Sequence, residues 1–212
     1  MSLDAIYNAV LSGNASGAKA EVEAALAAGT SAEAILNQAC IPAMTEVGRL
    51  FENGENFVPE MLIAARAMAA AANILKPLLA EEGVEQIGTV IIGTVAGDLH
   101  DIGKNLVGMM LEGAGFKIID LGTDVSPQAF VDAVKTEKPD IIAMSALLTT
   151  TTKSIIATIN ALNEAGVRDS VKVMVGGAPI TQAFADKVGA DGFAADAGSA
   201  ARKAKEVLGL AA

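Results

Sequence analysis

The spacing of hydrophobic residues along the chain changes once, between residues 80 and 88. Before this point apolar residues recur every three or four positions, and no stretch alternates between apolar and polar residues, which favours helices alone. The pattern predicts helices from Leu3 to Leu11, from Ser16 to Ala28, from about Thr30 to Phe51, and from Pro59 onward. The connections between them are short, so we expect an up-and-down four-helix bundle.

Small and flexible apolar residues fill this predicted bundle, namely many alanines together with Met44, Met61 and Met68. Ordinary packing explains such residues, because methionine adapts to irregular gaps. The alternative is a surface that covers a flat ligand. In that case we expect Phe51 and Val58, at the two ends of the turn between the third and fourth helices, to point out of the bundle toward it.

The segment from Pro77 to Gln86 contains a proline, a glycine and three glutamates. Together with the change of spacing that follows, this composition indicates a linker that ends the bundle. We therefore expect two domains, a helical cap at residues 1–86 and a second domain at residues 87–212.

Apolar strands and amphipathic helices alternate from Gly88 onward. Five short runs rich in valine and isoleucine, each followed by a helical pattern, predict an α/β domain whose parallel sheet is covered by helices on both faces. The predicted strands run from Thr89 to Val95, Phe116 to Leu121, Asp140 to Ser145, Val171 to Val175 and Gly192 to Ala195, with helices at about 102–114, 126–137, 152–165, 181–188 and 198–208.

Five strands joined by right-handed crossovers predict a doubly wound, flavodoxin-like sheet with the strand order 2-1-3-4-5. In such sheets ligands bind beyond the carboxyl ends of the strands, at the point where the strand order reverses. Here that point lies between the first and third strands. The loops that follow these strands, Ala96 to Asp101 and Ala146 to Thr152, are therefore the expected binding loops.

Composition and charge exclude several kinds of partner. The net charge of −10 argues against nucleic acid, which binds clustered lysine and arginine, and an aromatic content of 3% leaves few surfaces for base stacking. The single cysteine, Cys40, cannot form an internal disulfide, and no charged start followed by an apolar signal run is visible. We expect a cytoplasmic protein without a membrane span.

The loop after the first predicted strand, Gly97 to Asn105, contains the only histidine of the chain, His100, between two aspartates. A phosphate-binding loop of the GxxxxGK[ST] type is disfavoured, because five residues separate the glycines and Asn105 replaces the magnesium-binding hydroxyl. The dinucleotide pattern GxGxxG is absent from this turn. A phosphoacceptor receiver would need an aspartate at the end of the third strand, where Ser145 stands.

His100 could be an ordinary loop histidine held by hydrogen bonds, but its position favours a role as a metal ligand. Asp98, two residues earlier, can fix the tautomer of the imidazole and raise its basicity. A lone histidine cannot form a zinc site, which takes three or four protein ligands. It could serve as the single axial ligand of a metal that a macrocycle already holds.

Hydroxyl groups and glycines follow the third and fourth strands. Five of the eight residues from Ser145 to Thr152 carry a hydroxyl. These side chains can cap the next helix, and they also suit a polar ligand tail opposite the histidine loop. After the fourth strand, Gly176 and Gly177 leave room for a bulky group beside the backbone.

Taken together, these residues resemble the cobalamin-binding module of methionine synthase and, more closely, the corrinoid proteins of methylamine, methanol and aryl-ether methyltransferase systems. The signature of that family, DxHxxG, then SxL, then GG, occurs at residues 98–103, 145–147 and 176–177. The predicted helices at the front look like the family's four-helix cap. The resemblance covers nearly the whole chain and implies a Rossmann-like domain that binds cobalamin.

The resemblance assigns roles to individual residues. His100 would replace dimethylbenzimidazole as the lower ligand of cobalt, which is the base-off, His-on state, and Asp98 would bond to its other ring nitrogen. Thr151 stands where the family can carry a serine that completes this relay. The implied cofactor contacts come from Asp98, His100, Asp101, Ile102 and Gly103; from Ser145, Leu147, Thr149 and Thr151 along the nucleotide tail; from Gly176 and Gly177; and from Phe51 and Val58 above the methyl-bearing face.

Asp101 and Lys104 lie within or beside the signature. Nothing in the proposed chemistry requires either side chain, so we interpret both as loop or helix-start residues. No residue of the chain is expected to be catalytic.

The implied function is methyl carriage. Co(I) would accept a methyl group from a substrate:corrinoid methyltransferase, and methyl-Co(III) would pass it to a corrinoid:acceptor methyltransferase that uses tetrahydrofolate or coenzyme M. A reductive activating protein is the third expected partner, and neither nucleic acid nor a membrane is expected. The chain would be a non-catalytic carrier subunit whose cap swings aside, with its donor, acceptor and oligomeric state open.

Two alternatives share the fold. A B12-binding sensor or regulator usually has an attached output domain, and none is visible in this sequence. A fragment of a B12-dependent mutase would lack the acidic helical cap.

Overall fold

The structure is a computed structural model that describes residues 3–83 and 86–210. It divides into two compact units, which are Met1–Ile87 with Gly113–Gly115, and Gly88–Glu112 with Phe116–Ala212. Each unit is described by itself.

The first unit is helical, as the spacing of apolar residues predicts. The helix that begins at Leu3 packs on the helices that begin at Ala15 and Ile41, and the helix that begins at Ala15 packs along the one that begins at Val58. Met44, Met61 and Met68 are buried in it, so ordinary packing accounts for all three. The helices are α1 (Leu3–Leu11), α2 (Ala15–Ala27), α3 (Ala32–Ile35), α4 (Ile41–Glu52) and α5 (Val58–Glu81).

The predicted third helix is continuous but contains a wider turn. A π-helical segment, Leu36–Cys40, joins α3 to α4, and the Ile41 N–H donates to the carbonyl oxygen of Leu36. Pro42 follows directly and has no N–H to donate to the preceding turn. Widening the turn accommodates the proline without ending the helix.

The prediction that the bundle ends at Pro77 is wrong. α5 continues through this proline to Glu81, and the Glu82 N–H still donates to the carbonyl of Leu78. A proline this close to the end removes one backbone hydrogen bond and leaves a single turn beyond it.

The Glu82 carboxylate accepts from the N–H groups of Ala32 and Glu33, each at 3.3 Å, and so caps the start of α3.

One helix in the described part of the chain, Val58–Leu79 within α5, is long and apolar enough to cross a membrane by length and composition. A single helix of this kind is weak evidence for a membrane span, and the expectation of no credible span is not contradicted by it. Ala64, Ala67, Ala71 and Leu75 of this helix are buried within the helical unit. A buried core helix of a soluble protein passes the same test.

The second unit is a five-stranded parallel sheet with the order β2-β1-β3-β4-β5, which confirms the predicted fold. The three middle strands are almost wholly buried, as their continuous apolar sequences require. The edge strands are shorter, and β5 has only two residues. The strands are β1 (Thr89–Thr94), β2 (Lys117–Asp120), β3 (Ile141–Ser145), β4 (Lys172–Gly176) and β5 (Gly192–Phe193).

Helices connect these strands as the alternating pattern predicts. Ile91, Ile142 and Val173 of the sheet share one buried core with two helical residues, Phe130 and Ile159. Hydroxyl and carboxylate side chains cap three helix starts, where Ser126, Thr181 and Asp196 accept from backbone N–H groups. The helices are α6 (Ile102–Gly113), α7 (Pro127–Glu137), α8 (Thr152–Glu164), α9 (Gln182–Val188) and α10 (Ala197–Val207).

Candidate functional site

The β1–α6 loop and the β3–α8 loop lie side by side at the carboxyl ends of adjacent strands. Pairing of β1 with β3 brings Thr94 opposite Ser145, and the Val95 N–H donates to the Ser145 carbonyl oxygen at 3.0 Å. His100 lies in the first loop and Leu147 in the second. The predicted binding loops therefore meet at the point where the strand order reverses.

Asp98 is the residue on which these two loops converge. It is fully buried. Its Oδ1 atom accepts from His100 Nδ1 at 2.6 Å and from the His100 backbone N–H at 3.1 Å. Its Oδ2 atom accepts from Thr151 Oγ1 at 2.8 Å and from the N–H groups of Leu147 and Leu148 at 2.7 and 3.3 Å.

These donors determine the charge of Asp98. Burial alone would raise the pKa of this carboxyl, but hydrogen bonds from the Leu147 N–H, the ring and backbone of His100, and the Thr151 hydroxyl outweigh it. The net effect holds the pKa of Asp98 well below its ordinary range. The group is thus a carboxylate at neutral pH.

The ionised Asp98 sets the tautomer of His100. A carboxylate only accepts hydrogen bonds, so the bonded Nδ1 carries the ring proton and Nε2 of the neutral ring carries the lone pair. Nε2 takes part in no hydrogen bond among the described residues, and the side chain is half exposed. This is the arrangement in which a histidine can ligate a metal through Nε2.

Thr151 has one hydroxyl proton and two acceptors at equal distance. Its Oγ1 atom lies 2.8 Å from Asp98 Oδ2 and 2.8 Å from the carbonyl oxygen of Leu148. A hydroxyl donates one hydrogen bond at a time. With Asp98 ionised, donation to Asp98 is the charge-assisted and stronger choice.

Sequence reasoning missed several residues that hold the histidine loop. The hydroxyl of buried Thr94 donates to the His100 carbonyl oxygen at 2.9 Å. The Ser154 hydroxyl donates to the carbonyl oxygen of Ala96, also at 2.9 Å. Asp124 bonds to the loop at two points. A buried threonine in an otherwise apolar strand was the one available signal, since the other two depend on contacts distant in sequence.

Asp101 and Lys104 occupy the start of α6, as interpreted from sequence. The Asp101 carbonyl oxygen accepts from the Asn105 N–H at 2.8 Å, as a residue before a helix does. Lys104, however, is buried, and its Nζ donates to Asn105 Oδ1 and Asp120 Oδ2. Its ion pair with the end of β2 was not predicted.

The glycines of the signature have different surroundings. A Cβ built on Gly103 would meet no atom within 4 Å, so this side of the loop is open. A Cβ on Gly177 would lie 1.9 Å from the carbonyl oxygen of Ala146, and φ there is +120°. Contact with Ala146 thus explains the glycine at 177 without a ligand, while on Gly176 the nearest contact would be ordinary, at 3.4 Å.

The remaining predicted site residues are accessible. Ser145 is half-buried, and its hydroxyl makes no hydrogen bond within residues 3–83 and 86–210. Leu147 and Thr149 are exposed on the same loop, and Ile102 is 74% exposed. Their contacts with a cofactor stay predictions.

Phe51 and Val58 belong to the helical unit. Phe51 is half-buried and Val58 is 37% exposed. Phe57, between them in the turn, is 66% exposed and is the more accessible aromatic ring.

Within the described residues no three or more histidine, cysteine, aspartate or glutamate side chains cluster in a way that could hold a metal ion. His100 would therefore supply a single protein ligand. A metal bound here would need its other ligands from a different source, such as a macrocycle.

Comparison with known proteins identifies the family. Residues 88–204 match a family model described as a B12 binding domain, and residues 2–76 match a second model with the same description. The chain belongs to the B12-binding proteins. These models confirm cobalamin as the cofactor class of the family.

Individual B12-binding proteins match most of the chain. Trimethylamine corrinoid protein 1 of Methanosarcina acetivorans is 47% identical over 188 residues, which is 88% of this chain and 87% of that protein. A cobalamin-binding protein from Desulfitobacterium hafniense has a TM-score of 0.84 and 32% identity, with 98% of both chains covered. A chain of the methanol:cobalamin methyltransferase complex of Methanosarcina barkeri also has a TM-score of 0.84, with 28% identity over 98% of this chain and 79% of that one. These relatives confirm the predicted resemblance to corrinoid proteins of methyltransferase systems.

Proposed function

We propose that this corrinoid protein is a methyl carrier that receives a methyl group from one methyltransferase and delivers it through another. The observation that carries the proposal is the 2.6 Å hydrogen bond between His100 Nδ1 and buried Asp98, which leaves Nε2 available. The similar proteins support the setting, because one is named for trimethylamine and another is part of a methanol:cobalamin methyltransferase complex.

The residues present fit a corrinoid in three respects. His100 offers one uncommitted nitrogen on a half-exposed side chain. The space beside Gly103 is open. Leu99 and Leu147 on the two loops, and Ile102 at the start of α6, expose apolar side chains, which a flat macrocycle with apolar edges would cover.

Each residue then has a defined task. His100 would hold the cobalt through Nε2 in the base-off, His-on state, and Asp98 would keep the ring oriented and its proton on Nδ1. Thr151 would stabilise the Asp98 carboxylate by donating its hydroxyl proton. The bound corrinoid would supply a metal centre that takes up and releases a methyl group.

A proton at the Asp98–His100 pair would change how strongly the ring donates to cobalt. Donors from two loops stabilise the ionised form of Asp98. A proton that binds to the carboxylate must therefore displace or weaken those hydrogen bonds. We propose that proton uptake and release between Asp98 Oδ1 and His100 Nδ1 would adjust how strongly His100 Nε2 holds the cobalt of a bound corrinoid. An Asp98→Asn variant with unchanged methyl-transfer rate and midpoint potential would rule out this role.

The remaining residues of the signature would accommodate the displaced nucleotide tail. Ser145 and Thr149 would provide hydroxyl groups at the carboxyl end of β3, and Gly103 and Gly176 would leave room for the tail, as would Gly177 beside its contact with Ala146. In the cap, proposed to be residues 1–86, Phe51 and Val58 would shield the face that bears the methyl group. Residues 87–212 would form the binding domain.

We also propose the partners and location of the carrier. It would work with a substrate:corrinoid methyltransferase, an acceptor methyltransferase that uses tetrahydrofolate or coenzyme M, and a reductive activating protein, all in the cytoplasm. The catalytic steps would belong to the partners, since the site offers one ligand and its supporting hydrogen bonds.

Methyl transfer tests this function directly. The protein loaded with hydroxocobalamin and reduced is mixed with a corrinoid methyltransferase and its donor, either trimethylamine or methanol, and methylation is followed in the visible spectrum. We expect stoichiometric methylation with one donor system and loss of the rate in His100→Ala. A protein that binds the corrinoid tightly but is methylated by neither system would contradict methyl carriage from these donors and favour the alternative of a B12-binding sensor.

A further inference from the structure

The connection between β2 and α7, residues 121–126, is hydrogen-bonded to the loop that carries His100. The Asp124 N–H donates to the Asp98 carbonyl oxygen at 3.0 Å. In return, the Gly97 N–H donates to Asp124 Oδ1 at 2.7 Å. Asp124 therefore holds the backbone on both sides of the Gly97–Asp98 junction while its side chain stays outside the Asp98 network.

Asp124 makes these bonds in a backbone conformation that few residues adopt. Its φ is +54°, and within residues 3–83 and 86–210 the other non-glycine residue with positive φ is Lys138. Aspartate and asparagine tolerate this left-handed region better than most residues. A strained conformation persists where surrounding contacts determine it, and here both contacts go to the histidine loop.

The same connection holds the histidine loop by two further routes. The Thr94 N–H donates to the Gly122 carbonyl oxygen and the Thr94 carbonyl oxygen accepts from the Val125 N–H, both at 2.9 Å. The Thr94 hydroxyl then donates to the His100 carbonyl oxygen. At the other end of the loop, buried Lys104 pairs with Asp120 at the end of β2.

We propose that Asp124 is a positioning residue for the cobalt ligand, an inference that rests on the proposed function. Asp124 fixes the Gly97–Asp98 backbone, this backbone fixes the Asp98 carboxylate, and the carboxylate fixes the His100 ring. The donors on the β3–α8 loop bond to Oδ2 of Asp98, and the His100 N–H bonds to Oδ1. Asp124 adds the contacts that hold the backbone from which this carboxylate extends.

Two variants of Asp124 separate its acceptor from its backbone conformation. Asp124→Asn keeps an Oδ1 acceptor and tolerates positive φ. Asp124→Gly keeps positive φ and removes the acceptor. Lys138→Gly is the matched control, because it relaxes the other left-handed residue, at the C-terminus of α7.

The chain has one histidine, so ¹⁵N-histidine labelling of untagged protein reports on His100 alone. In the apo protein at pH 8, the ¹⁵N shifts of the imidazole give the ratio of Nδ1–H to Nε2–H tautomers. We expect mainly Nδ1–H in the wild type, Asp124→Asn and Lys138→Gly, and a roughly tenfold lower ratio in Asp124→Gly, the effect of about one charge-assisted hydrogen bond.

The loaded protein gives a second measure, the nitrogen splitting of Co(II) in the EPR spectrum. We expect Asp124→Gly to lose about tenfold in the ratio of imidazole-coordinated to uncoordinated cobalt, and the other two variants to stay within about twofold of the wild type. A wild-type spectrum without nitrogen splitting would reject the proposed function, while the tautomer ratio would still test the positioning.

Three results would overturn the proposal. In the first, Asp124→Gly keeps the wild-type tautomer ratio. In the second, Asp124→Asn lowers the ratio of Nδ1–H to Nε2–H tautomers as much as Asp124→Gly does. In the third, Asp124→Gly melts at the assay temperature, which would make Asp124 a residue of general structure rather than of positioning.

Discussion

The Nδ1 atom of His100 lies 2.6 Å from Oδ1 of Asp98, and the two residues differ sharply in exposure. The Asp98 side chain is fully buried and that of His100 is 51% exposed. The pair thus joins a carboxylate fixed inside the protein to an imidazole that reaches its surface. The hydrogen bonds that hold this pair have consequences for stability that can be measured.

Replacing Asp98 by asparagine should destabilise the apo protein in a pH-dependent manner. The folded pKa of Asp98 lies below its ordinary value of 3.8, so its stabilising effect is complete above that value and decreases as the pH falls below it. We expect Asp98→Asn to lower the free energy of unfolding by about 2 kcal/mol at pH 7. Urea unfolding at pH 7, 5 and 3 measures the difference, which should shrink at pH 3.

Exposed Asp101, three residues further along the loop, is the control for this experiment. Asp101→Asn should change the free energy of unfolding by less than about 0.5 kcal/mol at each pH. A difference between Asp98→Asn and the wild type that grows as the pH falls would contradict the sign of the pKa shift.

Removing the Thr151 hydroxyl should weaken the carboxylate it supports. Thr151→Val keeps the shape of the side chain but loses the donor to Asp98 Oδ2, so we expect about 1 kcal/mol less stability at pH 7 and a higher pKa for Asp98. Thr151→Ser keeps the donor and should stay close to the wild type. Urea unfolding and ¹³C NMR titration of the carboxyl provide the two measurements, and equal behaviour of the valine and serine variants would refute the assignment.

Gly177→Ala should be the most disruptive single change in the signature. The added Cβ would meet the Ala146 carbonyl oxygen at 1.9 Å, and a φ of +120° is almost closed to residues with a side chain. We expect a loss of about 3 kcal/mol or failure to fold. Gly176→Ala, whose nearest contact is 3.4 Å, is the matched control. Thermal melting that finds the two variants equally stable would be inconsistent with this geometry.

Gly103→Ala should separate corrinoid binding from stability. A Cβ at this position meets nothing within 4 Å, and alanine favours a helix over glycine, so we expect the apo protein to gain about 0.5 kcal/mol. If a corrinoid occupies that open space, its affinity should fall about tenfold, the effect of 1.4 kcal/mol. Absorbance titration with hydroxocobalamin measures the affinity.

Gly108→Ala is the control within the same helix. Its Cβ would make an ordinary 3.9 Å contact with Ile118, so it should stabilise the apo protein without changing affinity. Unchanged affinity in Gly103→Ala would mean that the cofactor does not approach the loop there.

The sequence predicts the sheet well because its signals are local. Short continuous apolar runs such as Val90 to Ile92 and Ile141 to Met144, rich in valine and isoleucine, favour buried strands, and the handedness of the crossovers favours their order. Helix details are less predictable. The segment from Pro77 onward is interpreted from sequence as a linker, yet the helix continues through that proline to Glu81. The π turn before Pro42 has no signal in the sequence pattern, which predicts a plain helix there.

Within the site, the signature identifies His100 and Asp98 because their spacing alone places them together. Thr94, Lys104 and Asp124 could not be recognised in this way. Thr94 bonds to the carbonyl oxygen of His100, Lys104 to Asp120, and Asp124 to Gly97. Only the fold brings Asp120 and Asp124 to the histidine loop. A residue that acts through a backbone hydrogen bond leaves no pattern in its own sequence neighbourhood.

The most direct test of the central claim is the EPR spectrum of untagged protein loaded with hydroxocobalamin and reduced to Co(II), prepared with ¹⁴N- and with ¹⁵N-histidine. We predict nitrogen splitting from one axial imidazole that changes from three lines to two on ¹⁵N labelling and disappears in His100→Ala. Splitting that does not respond to the label would show that His100 is not the ligand and would contradict the account.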